Sequence, residues 1–138
     1  MNRVVFDIET LGFPLESFDE KQQEYLMKFA KTDEEKVEAI QKLNLSPLTA
    51  RTIAIGMLNP DSNQGKVFYD APKSEPWSSE DGMIHFVPCE EREMLEEFWK
   101  TIAHYGQFIT FNGRSFDCPF VMLRSALLGV KATRNLMP

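Results

Sequence analysis

Near its start the chain reads RVVFDIET, and this stretch restricts the fold more than any other. Arg3 to Ile8 form a short β-branched and aromatic run, the pattern of a buried strand. Strand residues two apart point to the same face, so Asp7 and Glu9 share one. Two carboxylates on one face at the end of a buried strand repel each other and lose hydration. A divalent cation held between them is the simplest compensation.

The remaining pattern alternates strands with helices. After the breakers Gly12 and Pro14, residues 15 to 45 turn charged, with Tyr25, Leu26, Phe29, Val37, Ile40 and Leu43 at helical spacings. This predicts two helices divided near Thr32 and Asp33, either of which caps the second. They are expected to form an amphipathic cover for the core, with a mobile flap as the alternative. RTIAIGML (51–58) and KVFYD (66–70) read as a hairpin around the turn NPDSNQG. MIHFV is a further short strand. From Glu90 a helix places Met94, Leu95, Phe98, Trp99 and Ile102 on one stripe and closes near Gly106. QFITF (107–111) reads as a strand ending at Asn112 and Gly113, followed by a helix that Gly129 stops. Phe98, Trp99, Phe108 and Phe111 are expected in the core. Strands mixed with helices imply an α/β fold, a mixed sheet with helices on its faces. A chain of 138 residues, 43% hydrophobic, suits a single domain (1–138) with a helical insertion at about 15–45.

Composition narrows the function. A formal charge of −6 argues against clamping a nucleic-acid backbone by charge alone, although bound metal ions would reverse that locally. Cys89 and Cys118 are too far apart for a metal motif and give no disulfide framework, which points to a reducing, cytoplasmic setting. No leader pattern and no membrane-length apolar run is legible.

The second chemical cluster is FNGRSFDCPF, where Asp117 follows a strand and opens a helix. If that strand neighbours the first, Asp7, Glu9 and Asp117 converge, and three hard oxygen donors suit Mg²⁺ or Mn²⁺. Singly, Asp7 and Glu9 also read as a solvated strand end, and Asp117 as a helix N-terminal acid.

Together, FDIETLG and FNGRSFDCP resemble the first two motifs of the DEDD-type 3′–5′ exonucleases, which include the proofreading domains of DNA polymerases. The chain is similar to stand-alone relatives of the family-B polymerase proofreading domain. The resemblance implies a ribonuclease H-like fold and two divalent ions, Mg²⁺ or Mn²⁺, about 4 Å apart. It implies that Asp7 bridges both ions, that Glu9 binds one and orients the attacking water, and that Asp117 holds the second. Thr10 and Leu11 would meet the terminal nucleotide, with Leu11 wedged against the last base, and Asn112 and Phe116 would shape the groove. Arg114 and Arg124 are candidate phosphate contacts. The implied substrate is the 3′ end of single-stranded DNA or RNA.

One part of the family pattern is missing. Its third motif is a late Asp preceded by His or Tyr, and residues 130–138 contain no Asp, Glu, His or Tyr. His85 and His104 precede the second motif and read as a packed or edge residue and a helix-end cation. A C-terminally truncated domain, lacking the last strand and helix, is therefore expected. Its exposed sheet edge would favour a homodimer or strand exchange through residues 107–111. The competing reading is a catalytically inactive nuclease-like module that binds nucleic acid or protein. A phosphatase with Asp7 as nucleophile fits poorly, because such sites use Asp-x-Asp. Cys118 reads as a small buried residue beside the site.

Overall fold

The computed structural model describes residues 2–137. It forms two compact units, one from Met1–Glu9 and Thr52–Pro138 and the other from Thr10–Arg51.

Six strands make one sheet: β1 (Arg3–Gly12), β2 (Ala50–Leu58), β3 (Gly65–Asp70), β4 (Trp77–Ser78), β5 (Ile84–Cys89) and β6 (Gln107–Ile109). Their order is β4-β5-β3-β2-β1-β6. The β2–β3 hairpin is antiparallel, as the NPDSNQG turn predicts, while β3 pairs with β5 and β1 with β6 in parallel. The sheet is therefore mixed. Within the larger unit, alternation along β1 buries Val4, Phe6 and Ile8. Helix α3 (Glu91–Ile102) buries Met94, Leu95, Phe98, Trp99 and Ile102, the whole stripe expected from its spacing. The Phe6 and Phe98 rings meet edge to face with centroids 5.2 Å apart. Helix α4 (Asp117–Leu128) adds Phe120 and Val121 and ends at Gly129 in the left-handed conformation, φ +71°. Trp99 donates its indole N–H to Ser125 Oγ at 2.9 Å, which joins α3 to α4.

The smaller unit holds α1 (Glu20–Met27) and α2 (Asp33–Lys42). Asp19 and Gln22 form a capping box on α1, and the Thr32 hydroxyl accepts from Glu35 N–H on α2. The two helices and their division at Thr32 are those the spacing predicts. Their packing is not: neither helix has a buried residue, and Tyr25, Phe29, Val37 and Ile40 are exposed. The expected amphipathic cover is corrected accordingly.

Two other expectations change, and one strand is new. β1 runs on to Gly12 rather than ending at Ile8, because a glycine at a strand end does not force a turn. β4 lay hidden in a polar, proline-rich stretch and rests on Trp77 stacked against Phe86 at 3.8 Å. β6 stops at Ile109, and Phe111 is 92% exposed rather than core.

Candidate active site

The site begins where the β1–β6 ladder ends. The parallel pairing runs Arg3↔Gln107, Val4↔Phe108 and Val5↔Ile109, then stops. Parallel strands deliver their following residues to the same end of the sheet. On β1 these are Asp7 and Glu9. After β6 the chain must turn sharply to bring Asp117 back. Asn112 adopts the left-handed conformation, φ +57°, and its carbonyl accepts from the amides of Ser115 and Phe116 at 3.2 and 3.1 Å. Gly113 follows where no side chain fits, since a Cβ there would lie 2.0 Å from Thr110 Oγ1. Its carbonyl accepts from Cys118 N–H at 2.8 Å. The Asn-Gly pair is thus a local requirement of the turn that launches α4.

Asp117 is the first residue of α4 and is 3% exposed. Its Oδ2 accepts a hydrogen bond from the Ile8 amide at 3.2 Å, between the two acids of β1. Burial pushes the Asp117 carboxyl up from the ordinary carboxylate range. The Ile8 amide pulls it down, and the charge and hydrogen bond of Asp7 push it further up. A buried carboxylate thus has an exposed one, Asp7, as its neighbour.

The structure brings Asp7 and Asp117 together. Glu9 is exposed and alternates onto the Asp7 face of β1, but among the described residues no three His, Cys, Asp or Glu side chains form a group that would hold a metal ion. The expected convergence is realised as a pair. The pair's chemistry, hard anionic oxygens beside a desolvated carboxylate, fits a divalent cation.

Other predicted residues divide. Asn112 is exposed and, with Arg114, lines an open cavity of about 580 Å³ beside the turn. Phe116 is half-buried, its ring 5.5 Å from that of Phe120. In the smaller unit, the Thr10 hydroxyl donates to the Asn44 carbonyl at 2.5 Å, and Leu11 is 47% exposed. Arg124 is not a phosphate contact. It is buried and binds Glu91 through two atoms, Nη2–Oε1 at 2.5 Å and Nε–Oε2 at 3.0 Å. Glu91 Oε2 also accepts from the Thr52 amide at 2.6 Å. Sequence reading missed Glu91, which looked like an ordinary first-turn acid. His85 engages Ser78 Oγ through Nδ1 at 2.8 Å, and His104 is exposed just beyond α3. Cys118 is buried, and its thiol is pushed up by that burial and by the charge of Asp117.

Residues 49–137 match a family described as a predicted 3′–5′ exonuclease related to the exonuclease domain of PolB. This chain belongs to that family. The matched residues of the exonuclease-family chain include Asp117 and its turn, while Asp7 and Glu9 lie before them. No curated protein sequence matches. Among solved structures, the family B DNA polymerase from the hyperthermophilic archaeon Pyrobaculum calidifontis is similar, with a TM-score of 0.55 and 15% identity. The match covers 99% of this chain and 12% of the polymerase chain. The fold is that of a polymerase exonuclease domain, ribonuclease H-like. Among the described residues, no helix is long and apolar enough to cross a membrane.

Proposed function

We propose that this chain is a divalent-metal-dependent 3′–5′ exonuclease acting on the 3′ end of single-stranded DNA or RNA. One observation carries the reading: the buried carboxyl of Asp117 is held against Asp7, where both its desolvation and its neighbour make an unneutralised charge unfavourable. Asp7 and Asp117 would hold the metal, and Glu9 would join them from the same strand face. Two bound Mg²⁺ or Mn²⁺ ions would supply an activated water and charge stabilisation at the leaving oxygen.

The chain's own groups do the rest. Glu9 orients the attacking water. Asn112 and Phe116 bound the groove in which the terminal nucleotide lies. Thr10 and Leu11, next in the chain after the acid pair, contact that nucleotide, with Leu11 against the last base. No His, Tyr, Asp or Glu follows Gly129 in this sequence to take up a proton. Edge strand β6 offers its free side to a second copy, and light scattering over a concentration series tests that. Two buried free cysteines suit a reducing cytoplasm.

The absence of a three-donor group among the described residues favours a second reading, a nuclease-like module that binds without cutting. Digestion of a 5′-labelled single-stranded oligonucleotide with Mn²⁺, by the wild type and by Asp7→Ala side by side, decides between them. A ladder shortening from the 3′ end, absent in the variant, is expected. Retention of the intact oligonucleotide by both proteins, with no cleavage, would support the binding module instead.

A further inference from the structure

A second cavity, of about 300 Å³, has no acid in its lining, and its Met57 and Lys66 also border a neighbouring cavity that Asp7 lines. Asn59, Gln64, Lys66, His85 and Tyr105 are among the lining residues of this second cavity. The β2–β3 turn that supplies its first residues is tied to the start of β1 by the Arg3–Asp61 ion pair, 2.5 Å.

Its lining carries a cation and no acid. The protein carries 21 acidic residues against 15 Lys and Arg, yet no Asp or Glu lines this cavity. Lys66 and His85 stand directly opposite each other in the β3–β5 register. Among the described residues, the Lys66 ammonium and the Tyr105 hydroxyl have no protein hydrogen-bond or ion-pair partner, and neither does the Gln64 amide side chain. The Asn59 side-chain oxygen Oδ1 accepts from the amides of Asp61 and Ser62, which leaves its NH₂ group uncommitted. Ser78 holds His85 through Nδ1, so Nε2 is the ring nitrogen left for a ligand.

We propose that this cavity binds a phosphate group. Lys66 supplies the charge, and Tyr105, Asn59, Gln64 and His85 supply donors around it. No carboxylate opposes an anion there, and the volume suits a ligand no larger than a mononucleotide. The shared chemistry is the phosphate itself, carried either by a free mononucleotide, such as an exonuclease would release, or by the backbone of a nucleic acid.

Calorimetric titration in EDTA separates this site from any metal at the acids. The probes are inorganic phosphate, adenosine 5′-monophosphate and an oligothymidylate without terminal phosphates. The wild type and Asp7→Ala are expected to bind at least one probe equally well, with Lys66→Ala weaker by about tenfold or more and Tyr105→Phe weaker by a smaller factor. Binding of the monophosphate identifies a free mononucleotide as the ligand, and binding of the oligothymidylate alone identifies the nucleic-acid backbone. The site is overturned if no probe binds with a Kd below about 10 mM, or if Lys66→Ala binds as the wild type does. Loss of binding in Asp7→Ala would move the phosphate to the acids and overturn it as well.

Discussion

Replacing Arg124 by Ala tests whether this arginine belongs to the scaffold or to nucleic-acid binding. Its guanidinium meets both oxygens of Glu91, at 2.5 and 3.0 Å, with the two side chains 10% and 11% exposed. Removing one partner of a buried pair costs about 3–5 kcal/mol, and the residual solvent contact here places Arg124→Ala at the low end, about 3 kcal/mol. Glu91→Ala removes the arginine's carboxylate partner and also the acceptor of the Thr52 amide, which adds about 1 kcal/mol. The double variant should lie about 2 kcal/mol short of the sum, because either single change already destroys the pair. Urea unfolding followed by tryptophan fluorescence reads this, with Trp99 buried at the α3–α4 contact as a reporter. In a thermal scan the single variants should melt about 10 °C lower. A loss below about 1 kcal/mol for Arg124→Ala would show the pair behaving like a surface ion pair and refute the reasoning. Unchanged stability with weakened oligonucleotide binding would return Arg124 to phosphate recognition.

Other consequences are open to measurement. Asp117 sits above its unfolded value because of burial and Asp7, so its folded form retains a proton that the unfolded chain gives up; stability is fullest below the carboxylate range and falls as pH rises through it. Asp117→Asn in EDTA should therefore be more stable than wild type at neutral pH, with the gap closing on acidification; a gap that widens in acid contradicts this. Gly113→Ala places a methyl 2.0 Å from Thr110 Oγ1, so about 1–3 kcal/mol of stability should be lost along with any 3′-end trimming. Retained stability and activity would mean the turn yields freely. Cys89 is raised to about 11 by burial and by the charge of Glu93, so iodoacetamide at pH 8 should leave it unlabelled until urea unfolds the chain. Prompt labelling of the native protein, mapped by mass spectrometry, would refute its inertness.

Much of this architecture was legible because local chemistry and global position agreed. The Met94–Ile102 stripe reads as a buried helix face in sequence and is one in structure. FNG is a turn signal because Asn tolerates a positive φ and Gly113 leaves room for Thr110. The pairing of Asp7 with Asp117 followed from two acids at strand ends, once β1 and β6 proved to be neighbours. What stayed hidden depended on partners distant in the chain. Arg124 looked available because its partner lies 33 residues away. Phe111 looked like core because an aromatic at a strand end has no local mark of exposure. Tyr25, Phe29, Val37 and Ile40 show helical spacing, but spacing alone does not state that a face is covered. β4 needed Phe86 as a stacking partner before two residues would count as a strand.

The hydrogen bond from Ile8 to Asp117 has one more consequence. The ladder with β6 ends at Val5, so the Ile8 amide looks beyond the last paired residue and finds a carboxylate instead of a neighbouring strand. That makes one backbone proton a built-in witness of the acid pair. Its chemical shift and its exchange with deuterium report whether Asp117 is charged, protonated or drawn toward a bound ion, with no label attached. Asp117→Ala removes the acceptor and silences the witness, whereas a change at Asp7 leaves it listening.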